Sequence, residues 1–357
     1  MSLSIVPKMS DSFSRMGKMA LSVALISTSI AVGFGVESNT AHAGELNIYS
    51  YRSPILLEPF LTKYTAKTGT RFNVVHAPQG LVTRLKSEGS ATKADLVLTV
   101  DVSRVEELAD TGLLDRLNSP VINKNVPAHL RDVSDTWTAL SLRARIVVAS
   151  DAVKNGEINR IEDLVDPKWK GRICTRKGSH VYNRALLASL IAHHGEEKAE
   201  AWAQSLVSNL ARKPQGNDRA QAKAIWAGEC DVAIMNSYYF GKMKFNNKQP
   251  EQQDWAKALT LMFLNQDDRG QHVNISAGGI VKTSDNKEEA MAFLEWLTSD
   301  EAQQIYASVN YEYPVNPAVP ADSEVASWGQ FKVDQLPIST IAKLSPAAQI
   351  IIDRTGW

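Results

Sequence analysis

The dipeptide Tyr238-Tyr239, in the stretch MNSYYFGKM at 235–243, sets two phenol oxygens side by side. A third phenol, Tyr182, stands in a matching place: it follows Cys174 by eight residues, as Tyr238 follows Cys230 by eight. A disulfide between the two cysteines would bring both tyrosine segments off neighbouring strands at one edge of a sheet. A phenol is neutral at pH 7, with a reference pKa near 10. Ionising one therefore costs about 4 kcal/mol, and ionising three about 12 kcal/mol. Only a strong, hard cation makes three phenolates worthwhile. Ferric iron fits, because hard cations take anionic oxygen donors, whereas zinc prefers His and Cys. Three phenolates cancel a 3+ charge and fill half of an octahedron. A bidentate synergistic anion, carbonate or bicarbonate, could fill two more positions on a cationic cradle beside a helix N-terminus. The candidates for that cradle are Arg52 in YSYRSP, Ser179 as expected N-cap of the Tyr182 helix, and Arg143, which shares one side of a strand with Arg145.

Plainer readings stand beside this one. A tyrosine pair taken alone is more often packing than a metal site. Tyr306, Tyr311, Tyr313 and Trp169 read as packing residues, His193-His194 as exposed at a helix end, and Arg52 equally as an ordinary salt-bridge partner.

The elements that must position these side chains alternate in type. LNIYSY, RFNVVHA and ADLVLTV read as strands. Between and after them PILLEPFLTKYTAKTG, GLVTRLKSEG and SRVEELADTGLL read as helices, the last with Ser103 as expected N-cap. That βαβαβα order implies a parallel, doubly wound α/β sheet. A second α/β region follows RARIVVAS. It holds strands GRICT and CDVAIMNS, with three helical runs between them. A single long helix is expected over NKEEAMAFLEWLTSDEAQQIYASV, and a helical tail after the Pro-rich NYEYPVNPAVP. Two extended crossings, near 143–149 and 262–280, suit a hinge between two lobes closing on a ligand. The expected division is a signal peptide over 1–43, one lobe from 44–144 plus 270–317, a second lobe over 145–269, and a helical tail over 318–357. MNSYYFG falls at the carboxyl end of a strand, where open α/β sheets bind ligands.

Composition narrows the class. The 357 residues carry 39 Lys plus Arg against 39 Asp plus Glu, a formal net charge of zero with no charged block, which argues against nucleic acid. Lys8, Arg15 and Lys18 precede the apolar run MALSVALISTSIAVGFGV and then Ala41-His42-Ala43, the pattern of a secretory signal peptide cleaved after Ala43. Roughly 310 residues remain, enough for two domains. In an exported chain the two cysteines, Cys174 and Cys230, invite a disulfide worth at most about 4 kcal/mol by loop entropy, two buried thiols being the alternative. No G-x-S-x-G or H-E-x-x-H motif and no free reactive cysteine supports an enzyme.

Five stretches in order, NIYSYR, DPKWKGRIC, SHVYNRALLASLI, GECDVAIMNSYYFGKM and EYPVNP, resemble the periplasmic ferric-ion-binding proteins that serve bacterial iron ABC importers. The likeness covers nearly all of the chain after residue 43. It implies a two-lobed periplasmic-binding-protein fold, the type II arrangement of two mixed sheets joined by a two-strand hinge. It also implies a monomeric, non-enzymatic protein that passes iron to an inner-membrane permease, and iron held by Tyr182, Tyr238 and Tyr239. Many members carry an iron-ligating His, or His-Tyr, just after the arginine of the first strand. Here Ser53 and Pro54 follow Arg52. The chain thus resembles the three-tyrosine branch that completes coordination with a carbonate-type anion, held by Arg52 and Ser179, with Arg143 as a further candidate. Tyr51 is a possible extra ligand on a strand position facing away from Arg52. The same fold binding a small organic or oxyanion solute, thiamine- or phosphonate-like, is the alternative, with aromatic rings stacking on the ligand instead of ligating.

Overall fold

The computed structural model describes residues 44–357; the expected signal peptide over 1–43 lies outside the described residues. The chain opens with β1 (Glu45–Ser50), α1 (Pro54–Thr68), β2 (Arg71–His76), α2 (Leu81–Glu88), β3 (Leu96–Thr99) and α3 (Val102–Ala109). Pro54 sits in the first turn of α1, where its missing N–H costs nothing. Gly69 ends the helix in the left-handed region at φ 81°, donating its N–H to the Thr65 carbonyl. The i, i+3, i+7 set Leu57, Phe60 and Tyr64 is buried, each side chain contributing about 1.5–3 kcal/mol. β1 pairs in parallel with β2 on one side and β3 on the other. All four β3 residues are buried, as a strand covered on both faces requires.

A short helix α4 (Pro120–Asn125) leads to β4 (Thr138–Ala149), which belongs to both halves of the molecule. From Thr138 to Ala144 it runs antiparallel to β8 (Val273–Ile280), and from Arg145 to Ala149 antiparallel to β6 (Val232–Asn236). Beyond it come β5 (Ile173–Cys174), α5 (Val181–His194), α6 (Glu196–Ser208), α7 (Asp218–Trp226), β6 (Val232–Asn236), α8 (Tyr238–Lys244), α9 (Glu251–Lys257) and β7 (Thr260–Met262). β8 (Val273–Ile280) returns the chain to the first half, pairing with β3 and β4. The strand path is β2-β1-β3-β8-β4-β6-β5, with β7 also on β4. The second crossing is thus two strands, β7 and β8, with a loop between them, tied down where Arg145 N–H donates to the His272 carbonyl at 3.1 Å. Cys174 and Cys230 form the expected disulfide, their Cα atoms 5.9 Å apart.

The chain closes with α10 (Lys287–Leu297), α11 (Asp300–Ser308), α12 (Ser323–Ser327) and α13 (Ile338–Thr355). The single long helix expected over 286–309 is therefore two. Ser299 is extended, at φ −70° and ψ 160°, and its side chain accepts from Ala302 N–H. Asp300 and Glu301 follow in the first turn, so Ser-Asp-Glu writes a new helix start into an otherwise continuous apolar pattern. α13 packs against α5 and α6 of one half and α3 of the other. Among the described residues no helix is long and apolar enough to cross a membrane.

Candidate metal centre

β6 delivers the tyrosine pair. Its last residue, Asn236, pairs with Arg145 on β4, and Ser237 N–H donates to the Ala144 carbonyl at 2.9 Å. The chain then turns into α8 at Tyr238, beside the point where β4 changes partner. The rings of Tyr238 and Tyr239 stack with centroids 4.3 Å apart. Gly241 follows because the Tyr311 ring lies flat on this helix, where a Cβ would collide with it.

Tyr182 comes from the first turn of α5. The expected N-cap was Ser179, but the cap is His180: it is extended, and its Nδ1 accepts from Tyr182 N–H at 3.3 Å. Ser179 sits one residue too early and is exposed. Burial, with Arg176 adding, pushes the His180 pKa down to about 3, so the ring is neutral and able to accept. At α3 the cap is likewise not the expected serine: Asp101 caps by accepting from Ser103 N–H. Ser and Asp are both good caps, and only the backbone turn shows which of two neighbours occupies the cap position.

The structure brings Tyr182, Tyr238 and Tyr239 together. Burial pushes the Tyr238 phenol well above its ordinary value, and Tyr182 and Tyr239 add to the effect while Arg143 opposes it. Burial raises Tyr239 to about 12, with Tyr182 and Asp218 adding and Arg176 opposing. All three phenols lie among arginines. The Tyr182 ring has Arg176 at 5.4 Å, Arg143 at 5.7 Å and Arg145 at 5.8 Å from its centre, and the Tyr239 ring has Arg219 at 5.0 Å.

Two buried carboxylates organise these cations. Glu312 accepts from Arg52 Nη2 at 2.9 Å through Oε2, while its Oε1 stands 3.8 Å from Arg143 Nη1. Arg143 Nη2 also donates to the carbonyls of Val100 and Ile275. Asp218 accepts from Arg145 Nη1 at 2.6 Å and Asn236 N–H at 2.8 Å through Oδ2, and from Arg176 Nη1 at 3.1 Å through Oδ1. Burial works against its ionisation, but Arg145 and Arg176 outweigh that and hold the carboxyl below its usual range. Arg145 further donates to Asn183 at 2.6 Å, which ties β4 to the residue beside Tyr182.

Arg52 and Arg143 thus gather on the Tyr238 side, joined by Glu312, and Arg52 is at once a buried salt-bridge partner and a neighbour of Tyr238. Ser179 is not among them. It lines a separate cavity with Arg176, Lys177 and His180. Tyr51 is engaged elsewhere, its hydroxyl accepting from Val82 N–H at 3.1 Å. His193 and His194 are exposed at the end of α5, as expected, and their rings contact Asp334 and Glu162. Tyr306 packs on Phe60 as expected. Sequence reasoning missed Glu312, Asp218, Arg176 and Arg219. Glu312 lies in EYPVNP, among the stretches that carry the family resemblance; the other three sit in segments with no pattern of their own.

Among the described residues no three His, Cys, Asp or Glu side chains cluster as a metal site. Comparison with known proteins finds solute-binding and ferric-ion-binding relatives. A family model described as bacterial extracellular solute-binding protein matches residues 91–333. Iron uptake protein A1 of Synechocystis sp. is 40% identical over 315 residues, covering 88% of this chain and 87% of that protein. The crystal structure of apo ferric ion-binding protein A from Pasteurella haemolytica superposes with a TM-score of 0.84 at 43% identity, covering 88% of this chain and 98% of the other. A Trichodesmium protein (IdiA, FutA), solved in complex with iron and citrate ligands, superposes at 0.82 with 42% identity, covering 88% and 100%.

Proposed function

The chain belongs to the bacterial extracellular solute-binding protein family, and from that premise we propose that its solute is ferric iron, bound by Tyr182, Tyr238 and Tyr239. In this reading it is a periplasmic protein that captures the ion between two lobes, divided near 144/145 and 269/270 with the tail over 318–357, and hands it to an inner-membrane ABC permease. It performs no chemistry on the iron beyond exchange of ligands and protons.

One observation carries the reading: three phenols meet in a buried site with more cations than anions. Arg52 and Arg143 stand against Glu312 alone, and Arg145 and Arg176 against Asp218 alone, so each group keeps one positive charge. Buried charge without a partner is costly. An Fe(III) ion with three phenolates is neutral and leaves that surplus of two in place. A dianion, carbonate, balances it while filling two iron positions. Arg52 and Arg143 are the proposed holders of that anion. Ser179, exposed and on the cavity side, could reach it only through its hydroxyl or the neighbouring backbone.

The phenols also set the direction of the pH response. Each must lose a proton to ligate, so uptake releases about three protons and acid favours release. The surrounding arginines oppose the effect of burial on Tyr238 and Tyr239 and so favour the phenolates.

The test is a visible spectrum. Metal-free protein given a ferric salt with bicarbonate should turn coloured through phenolate-to-iron charge transfer. Tyr239→Phe should weaken binding about a hundredfold or more, one ligand's share of a ~10–16 kcal/mol metal-binding energy. A wild-type protein that stays colourless with every ferric source removes the iron reading.

A further inference from the structure

Tyr311 stands in the left-handed region, at φ 58°, where a residue with a bulky side chain is an outlier. Such a conformation persists only where its surroundings fix it. Here they fix it on both sides. Asn310 Nδ2 donates to the Leu56 carbonyl at 2.9 Å, and Glu312 accepts from Arg52 at 2.9 Å. Tyr313 exchanges two backbone hydrogen bonds with Leu142 on β4, each 2.8 Å. The Tyr311 ring is thereby turned onto α8. A Cβ on Gly241 would overlap it, and the Phe245 ring stacks on it with centroids 5.6 Å apart and planes 14° from parallel. Lys242 Nζ adds a hydrogen bond from the same helix to the Val309 carbonyl at 2.7 Å.

Tyr238, Gly241 and Phe245 fall at i, i+3 and i+7, one stripe along α8 and its C-cap. The Tyr311 ring therefore bears on the face of the helix that Tyr238 heads, and Tyr239 stacks on Tyr238. The contact also crosses the proposed lobe boundary, from 270–317 to 145–269. Glycine is a poorer helix former than alanine, so Gly241 weakens α8 locally, and what it gains is the close approach of the ring. We propose that Tyr311 is a positioning residue for the metal centre. It is a wedge, fixed on the first-lobe side, that sets the angle of α8 and so the placing of the Tyr238 and Tyr239 phenols. It supplies no ligand to the iron. Three donors must meet on one ion, so a small tilt of α8 draws two of them away from Tyr182. The inference rests on the ferric reading above and deepens it.

The experiment titrates metal-free, full-length mature protein with a ferric salt in bicarbonate and follows the charge-transfer band. Denaturant unfolding of the same metal-free samples is measured beside it. The variants are Tyr311→Asn, Tyr311→Phe, Gly241→Ala, and Gly241→Ala combined with Tyr311→Asn. Asn tolerates the left-handed backbone but removes the ring, whereas Phe keeps the ring. Tyr311→Asn and Gly241→Ala should each weaken iron binding about tenfold and move the band maximum. Tyr311→Phe should keep both at their wild-type values. The double variant should match Tyr311→Asn, because with the ring gone the added methyl meets nothing. Affinity and band unchanged in Tyr311→Asn and Gly241→Ala, whatever their unfolding midpoints, overturn the proposal. So does a Tyr311→Phe as damaging as Tyr311→Asn, or losses that add in the double variant. Should Tyr311→Asn fail to fold, Gly241→Ala set against wild type and Tyr311→Phe decides alone. A wild type that stays colourless overturns the ferric reading instead, so the two failures are distinguishable.

Discussion

The Glu312 and Asp218 centres have the same composition, one carboxylate between two arginines, and differ in how fully they are bonded. Both oxygens of Asp218 are used, by Arg145, Arg176 and the Asn236 N–H. Glu312 uses one: Oε2 holds Arg52, while Oε1 is buried with no hydrogen-bond partner. Each faces a different phenol. Asp218 and Arg176 act on Tyr239, whereas Arg52 and Arg143 act on Tyr238. A closed centre fixes the shape of its half of the site. An open one leaves cationic capacity unspent, and that is where an incoming anion gains most. The incomplete half of the site is thus the half that holds Arg52 and Arg143, the proposed anion holders.

The largest effect that would break this comparison is on folding. Asp218→Asn leaves Arg145 facing a neutral amide inside the protein, and breaking a buried pair costs about 3–5 kcal/mol. Denaturant unfolding of the metal-free protein measures it; a cost below about 1 kcal/mol would mean that the closed centre is no stiffer than the open one.

Alkali should give the next largest effect. Tyr239 titrates near 12 in the fold against an ordinary 10, so the fold binds that proton more tightly than the unfolded chain does. Its contribution is fully present below pH 10 and is lost as pH rises from 10 to 12. At about 1.4 kcal/mol per unit, that is roughly 2–3 kcal/mol. Iron-loaded protein, its phenols already deprotonated, should not show this loss. Unfolding midpoints at pH 9 and pH 11.5, with and without iron, test it. Because Asp218 adds to the Tyr239 shift, the same measurement on Asp218→Asn should find a smaller one.

The smallest effect is the sharpest in sign. Glu312→Gln removes a negative charge from the open centre and leaves Arg52 and Arg143 uncompensated. Metal-free stability should fall, while the bicarbonate concentration needed for half-maximal colour should also fall, about tenfold, the scale of one unit charge at several ångströms in a protein interior. A rise in the bicarbonate requirement would show that Glu312 matters by orienting Arg52 and not by its charge.

How much of this could be read in advance follows from where each signal lives. Tyr238-Tyr239, Tyr182 and the two cysteines announce themselves by type and spacing. Their strands, rich in Val and Ile and flanked by helical periodicity, were legible for the same reason. Local boundaries are less so: the expected serine caps lie one residue from the true cap at α5 and two at α3, and the break at Ser299 is hidden in an unbroken apolar pattern. The carboxylate centres were not legible at all. Arg52 meets Glu312 across 260 positions and Arg145 meets Asp218 across 73, and no periodicity marks such a pairing. Arg52 stands at the end of β1, and Glu312 reaches it from the segment after α11, where Tyr313 pairs with Leu142 on β4.

β4 gives that pairing a mechanical meaning. Arg143 and Arg145 stand two residues apart on it, one serving each centre, and the strand passes from one half of the molecule to the other between them. Their separation along the backbone is about 6.6 Å, fixed by the pitch of an extended chain and not by side-chain packing. Any bend of the strand at Ala144 therefore swings one guanidinium relative to the other. The proposed lobe boundary and the charges around the phenols therefore meet in a single tripeptide, so a hinge motion there would shift the two carboxylate centres relative to each other.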